Sequence, residues 1–126
     1  MTFQDIFSAD FGPISIKVRY NKASEGPTVN LIGKKGEFLR YDGFLKGPQR
    51  HHFHINPYTK ANAGETATRV EGITTPPALL EHLLEGVGLK ELATKAGELE
   101  VAAYLTPAND AEVKRYIFAA VNMCQN

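Results

Sequence analysis

The hydrophobic period changes once along this chain, and no other feature constrains the fold as much. Before about residue 73, apolar residues recur at every second position; from Thr75 onward they recur every third or fourth. In "ISIKVRY" (14–20), Ile14, Ile16 and Val18 point one way while Ser15, Lys17 and Arg19 point the other, the pattern of a half-buried strand. "TVNLI" (28–32) and "EFLRY" (37–41) flank "GKKG" (33–36), which predicts a hairpin whose glycines can take positive φ. "RHHFHIN" (50–56) reads as a short strand stopped by Pro57, and "TATRVEGI" (66–73) as one more. The segments 21–27, 42–49 and 58–65 carry turn chemistry and read as loops.

The second half follows a helical period. Thr75 is an N-cap and Pro76 occupies the first helical position, where a missing N–H costs nothing. Leu79, Leu80, Leu83, Leu84 and Val87 form an apolar stripe, and Gly86 and Gly88 supply stop signals. "LKELATKA" (89–96) predicts a second short helix. In "ELEVAAYL" (98–105), Val101, Ala103 and Leu105 alternate with Ala102 and Tyr104, which predicts a strand. The last helix runs through "TPANDAEVKRYIFAAVNMC", where Val113, Tyr116, Ile117, Ala120, Val121 and Cys124 recur at threes and fours; Asn109 with Glu112 suggests its capping arrangement. Strands followed by helices predict an α+β fold: an antiparallel sheet of about four to six strands packed against two or three helices.

At 126 residues the chain is long enough for one domain with its own core. A net charge of zero excludes a global basic field of the kind that advertises nucleic-acid binding. The distribution is uneven: residues 1–63 hold nine Lys/Arg against five Asp/Glu, and residues 64–126 hold five against nine. The lone Cys124 cannot form an internal disulfide and continues the apolar stripe of the last helix, so a reducing, cytoplasmic setting is expected. The N-terminus has neither a signal-peptide pattern nor the ~20 apolar residues of a membrane span, so no membrane is expected among the partners.

The basic half contains "RYDGFLKGPQRHHFHINP" (40–57), where three of the four histidines fall within four positions behind Arg50. If that piece is extended, His52 and His54 share one face, directed to solvent, while His51 shares the other with Phe53. Three chemistries follow. His52 and His54 are suited to a metal ion. However, the next acidic residue is Glu65 and the only later histidine, His82, sits among leucines, so no complete ligand set shows. Arg50 with imidazoles, and with Arg40 and Lys46 near in sequence, suits a phosphate. His51, His52 and His54 can also trade protons in metal-free RNA cleavage, with Arg50 steadying the transition state, Asp42 orienting a histidine, and Tyr41 or Tyr58 supplying a hydroxyl. The plainer alternative is that the histidines close a sheet edge and contact loop carbonyls. "GKKG" lacks the spacing and the following Ser/Thr of a phosphate loop.

The run "GEFLRYDGFLKGPQRHHFHI", followed by "ITTPPALLEHLLEGV", resembles the TumE family of small toxins from prokaryotic toxin–antitoxin systems. Tyr41, Asp42, the loop glycine Gly47, His52, His54 and the helix opening at Thr75 stand where that pattern puts them, over about residues 28–86. Gly43 stands where the family usually has Asn, the stretch between the histidines and the helix is longer, and some forty residues follow the matching helix. The resemblance implies a cytoplasmic toxin paired with an antitoxin protein.

The expected function is therefore toxin-like action on nucleic acid, as a ribonuclease needing no cofactor. Its catalytic residues would be His51, His52, His54 and Arg50, and its substrate-binding residues Tyr41, Asp42, Arg40, Lys46 and Tyr58. The expected partners are RNA and an antitoxin, and a homodimer is allowed. Two rivals stand beside it. One is a protein-binding domain whose basic half docks an acidic partner or whose edge strand pairs with a neighbour. The other is a small metal-binding protein using His52 and His54.

Overall fold

The computed structural model describes residues 3–47, 50–57 and 67–124. Among them, five strands come first: β1 (Phe3–Phe11), β2 (Ile14–Asn21), β3 (Gly26–Gly33), β4 (Gly36–Asp42) and β5 (His52–Ile55). They form one antiparallel meander in the order β1-β2-β3-β4-β5. The helices α1 (Pro76–Glu81), α2 (Leu89–Lys95), α3 (Leu99–Tyr104) and α4 (Pro107–Cys124) follow, with a π-helical stretch, His82–Gly88, between α1 and α2. The fold is α+β, with one helix more than the sequence pattern predicts.

The register sorts the side chains into two faces. Ile16 lies opposite Leu31, Val18 opposite Val29, Val29 opposite Tyr41, and Tyr41 opposite Phe53. These residues belong to one buried cluster with Leu79, Leu83, Leu92, Val113 and Ile117 of the helical half. Each such side chain contributes about 1.5–3 kcal/mol when fully buried. The alternate positions of the same strands are polar. Lys17 lies opposite Asn30, Asn30 opposite Arg40, and Arg40 opposite His54; Arg19 lies opposite Thr28, Thr28 opposite Asp42, and Asp42 opposite His52.

Several expectations are corrected. β1 was not expected, because its pairing shifts between Asp5 and Phe7 and the shift breaks the alternation. Within the strand expected at 98–105, Leu99–Tyr104 is helical rather than extended. Val101, Ala102 and Leu105 are its buried apolar positions, and a six-residue helix is too short to display its period. Of the strand expected at 66–73, the described part makes only an isolated bridge between Thr68 and Phe53. The helix runs past Gly86 through the π-helical stretch but breaks at Gly88, as expected: its φ of +97° and ψ of 143° are not helical, and α2 starts at the next residue. Thr106, not Asn109, caps α4: its hydroxyl accepts from the Asn109 N–H at 3.3 Å, while the Asn109 amide donates to the Tyr104 carbonyl at 2.8 Å. Pro107 explains this, since it takes the first helical position and holds the preceding residue extended. At α1 the expected cap is present, with the Thr75 hydroxyl accepting from the Ala78 N–H at 3.3 Å.

The "GKKG" turn is tied down from the helical half. Buried Glu98 accepts from the Lys34 and Lys35 N–H groups at 3.1 and 2.9 Å. Those amides are engaged within the protein and do not cradle a phosphate.

Candidate functional site

The β4–β5 pairing assembles a cluster that the linear spacing hides. Period two places His52 and His54 on one face of β5, and antiparallel pairing sets Asp42 opposite His52 and Arg40 opposite His54. That face is enclosed. Asp42, His52 and His54 are 4%, 4% and 3% exposed, which corrects the expectation that the two histidines project to solvent. The loop after β4 helps to close it. The Phe44 ring meets His52 edge-on with 5.9 Å between centroids, and the His51 N–H donates to the Phe44 carbonyl at 3.0 Å.

One carboxylate oxygen is the centre of the cluster. Asp42 Oδ2 lies 2.9 Å from His52 Nε2 and 3.3 Å from His54 Nε2, and Arg40 Nε lies 3.4 Å from the same oxygen. The other oxygen, Oδ1, accepts from the Thr28 hydroxyl at 2.9 Å. The two imidazole rings meet edge-on with centroids 4.8 Å apart. Burial alone would raise the Asp42 carboxyl, but hydrogen bonds from His52 and His54 and the charge of Arg40 overcome it. The group is held well below the usual carboxylate range.

The His52 ring is oriented from behind. Its Nδ1 lies 2.9 Å from the Arg50 carbonyl, which can only accept, so Nδ1 carries a proton. Nε2 faces Asp42 Oδ2 at 2.9 Å, an approach that calls for a cation shared between them: a second ring proton, as in the hydrogen bond that holds Asp42 low, or a metal ion in its place. Glu37 is buried, and its Oε1 lies 3.8 Å from Arg40 Nη1. Glu37 Oε2 accepts from the Asn30 amide, whose oxygen accepts from Arg19 Nε, so the two carboxylates are flanked by two guanidiniums.

The other predicted site residues are dispersed. Tyr41 is on the apolar face, and its hydroxyl donates to the Pro76 carbonyl at 2.7 Å. Burial first, and then the Asp42 charge, push its phenol above the usual range. His51 is turned away from the cluster, with Nε2 donating to the Ile73 carbonyl at 3.3 Å. Arg50 is exposed and contributes its carbonyl to His52. Lys46 is exposed and ion-paired with Glu25 at 2.5 Å. Tyr58 lies outside the described residues.

Thr28 and Glu37 were not anticipated: a regular hairpin through "GKKG" would bring Thr28 opposite Tyr41, not Asp42. The irregular register between Leu31 and Ile32 makes the observed pairing, because it leaves Phe38 over and moves every earlier partner by one, Thr28 to Asp42. A Cβ on Gly43 would fall 2.5 Å from the Tyr41 hydroxyl, so an asparagine does not fit there without movement. No family model matches the chain, and neither the curated proteins nor the solved structures give a match.

Proposed function

We propose that this chain is a metal-binding protein whose centre is Asp42, His52 and His54, taking a divalent transition ion through two imidazoles and one carboxylate oxygen. The observation that carries the reading is the convergence of three donor atoms, all within 4.8 Å of one another, in a buried setting. Donors at about 2.1 Å from an ion are separated by about 2.9 Å when at right angles and about 3.4 Å in a tetrahedron. The two carboxylate–imidazole contacts, 2.9 and 3.3 Å, have that spacing, and the two imidazoles, whose donors lie within 4.8 Å, would draw together on an ion. Imidazole with carboxylate suits zinc, iron(II), cobalt(II) or nickel(II) and does not favour magnesium or calcium. The hydrogen bond from His52 Nδ1 to a backbone carbonyl is the support that ligating histidines ordinarily have.

The test is calorimetric titration of chelator-treated, tag-free protein with zinc. The reading expects one ion per chain and a higher melting temperature, since an ion bound only by the folded chain stabilises it. It also expects binding to be lost in folded Asp42→Ala and His54→Ala variants. Equal binding in wild type and variants would overturn it.

A second reading keeps the toxin-like role. On it the chain is a cytoplasmic ribonuclease with RNA as substrate, an antitoxin protein as partner, and self-association allowed. Its support is the sequence resemblance together with exposed Arg50 and Arg69 beside β5, where Arg69 donates to the Arg50 carbonyl at 3.4 Å. It requires the enclosed histidines to meet a phosphate. Growth arrest by wild type, but not by an equally abundant, folded His51→Ala/His52→Ala/His54→Ala variant, would support it; harmless wild type would count against it. Among the described residues no helix is long and apolar enough to cross a membrane.

A further inference from the structure

The two outer strands of the sheet end differently. β5 is covered at Phe53, whose N–H donates to the Thr68 carbonyl at 3.0 Å and whose carbonyl accepts from the Thr68 N–H at 2.8 Å. β1 is the other edge. Among the described residues its backbone bonds only to β2, so the N–H and C=O groups along its outer side are open to another strand.

Proteins commonly guard such an edge with a bulge, a lysine or a proline. In β1 the pairing shifts between Asp5 and Phe7, which guards only the first part of the strand. From Phe7 to Phe11 the pairing with β2 is regular, and this stretch, "FSADF", has no Lys, Arg or Pro. Its one charge, on Asp10, accepts from the Ser15 hydroxyl at 2.8 Å. Phe7, Ala9 and Phe11 lie opposite Val18, Ile16 and Ile14 on the core face, yet each is only half-buried, because the sheet stops beside them. The apolar margin continues onto α4. The Phe11 and Tyr116 rings meet with centroids 5.5 Å apart, and Ala119 and Met123 follow Tyr116 on the same flank of the helix. Met123 is 61% exposed. A continuous apolar margin beside an open strand edge marks an interaction surface.

We propose that β1 pairs antiparallel with β1 of a second copy, about a two-fold axis at Ala9 normal to the sheet, so that the five strands of each copy form one continuous sheet. The residues select both the occupant and the register. Centring on Ala9 sets Phe7 opposite the partner's Phe11, Ser8 opposite the partner's Asp10, and Ala9 opposite the partner's Ala9. Moving the centre to Asp10 would set two carboxylates face to face. Moving it to Ser8 would set Phe11 against Asp5 and carry the pairing into the irregular step. A two-fold contact requires a patch complementary to itself, which this one is, and a net charge of zero leaves two copies without overall repulsion. The axis keeps the helices of both copies on one side, so the α4 flanks extend the contact. Five paired residues per copy make a small contact, and the expected dissociation constant is about micromolar. The interface needs no ion at Asp42, so it stands or falls independently of the metal reading.

The experiment is sedimentation velocity of the full chain across the micromolar range, on wild type, Ser8→Asp and Ser8→Lys, with disulfide trapping of Ala9→Cys and Ser8→Cys in a Cys124→Ser background. Wild type is expected to dimerise as concentration rises. Ser8→Asp sets like charges opposite each other at two symmetric places and should weaken the dimer by about fivefold or more, whereas Ser8→Lys, facing the same carboxylate, should tighten it. Ser8 is exposed, so both variants should fold. Ala9 meets its own copy at a Cα separation of about 4.5–5.5 Å, within reach of a disulfide, so oxidised glutathione should trap Ala9→Cys as a covalent dimer much faster than Ser8→Cys. A chain monomeric at every concentration would overturn the proposal and leave the edge to a strand of another protein. A dimer in which Ser8→Asp and Ser8→Lys behave alike, or in which Ser8→Cys is trapped as readily as Ala9→Cys, would overturn it too.

Discussion

The two faces of this sheet are made by the same strands, and they bury different things. On the helix side, Ile16, Val18, Val29, Leu31 and Phe53 lose water against leucines of the helical half, and the Tyr41 hydroxyl among them is bonded to a carbonyl. On the other side, Thr28, Asn30, Glu37, Asp42, His52 and His54 are buried as well. Burying apolar side chains stabilises the fold directly, whereas buried ionisable groups at best roughly break even once paired. The comparison teaches where to look for function: a sheet that could have been apolar on both sides keeps a connected polar network on one.

Breaking the apolar face should have the largest effect on stability. Leu83→Ala, at a position 1% exposed, should cost about 3 kcal/mol in denaturant unfolding while leaving zinc affinity unchanged in the folded fraction. A large loss of affinity there would show that the faces are not separable.

Asp42→Asn should come next. It should cost the metal-free protein about 2 kcal/mol at neutral pH, the scale of hydrogen bonds to a charged group, and abolish metal binding. The folded-state value of Asp42 is depressed, so its stabilising contribution is fully present above the unfolded carboxylate value of about 3.9 and is lost as pH falls through the lower folded value. The stability gap between wild type and variant should therefore hold from pH 7 to about pH 5 and narrow below about pH 4. A gap that widens on acidification would contradict the assignment.

Thr28→Val should have a smaller effect, about 1 kcal/mol, with metal affinity falling about tenfold as Asp42 Oδ1 loses the hydroxyl that holds it. Wild-type affinity in this variant would show that the carboxylate is positioned without Thr28. Lys46→Ala should change neither melting temperature nor metal affinity, because its ion pair with Glu25 is on the surface. Any loss of metal binding there would extend the centre into the loop after β4.

Much of the fold could be read from the sequence where periods are long and regular. β2 and the β3–β4 hairpin followed from alternation and "GKKG", and the long α4 from its apolar stripe. β1 could not, because one irregular step breaks its alternation, and α3 could not, because six residues barely exceed one and a half turns. At the site, the His52/His54 pair and the relevance of Asp42 were legible, but their burial and the shared oxygen were not. A ligand search downstream of the histidines met Glu65 and His82 and missed the residue that precedes them, which antiparallel pairing folds back beside them. Thr28 and Glu37 depend on the register through an irregular step, information held in three dimensions only.

The most direct test of the central claim is X-ray absorption at the zinc edge of protein loaded with one equivalent of zinc. The Asp42–His52–His54 centre predicts a nitrogen and oxygen shell at about 2.0–2.1 Å with the outer scattering of two imidazoles and no sulfur. A shell containing sulfur from Cys124, or one without two imidazoles, would contradict it.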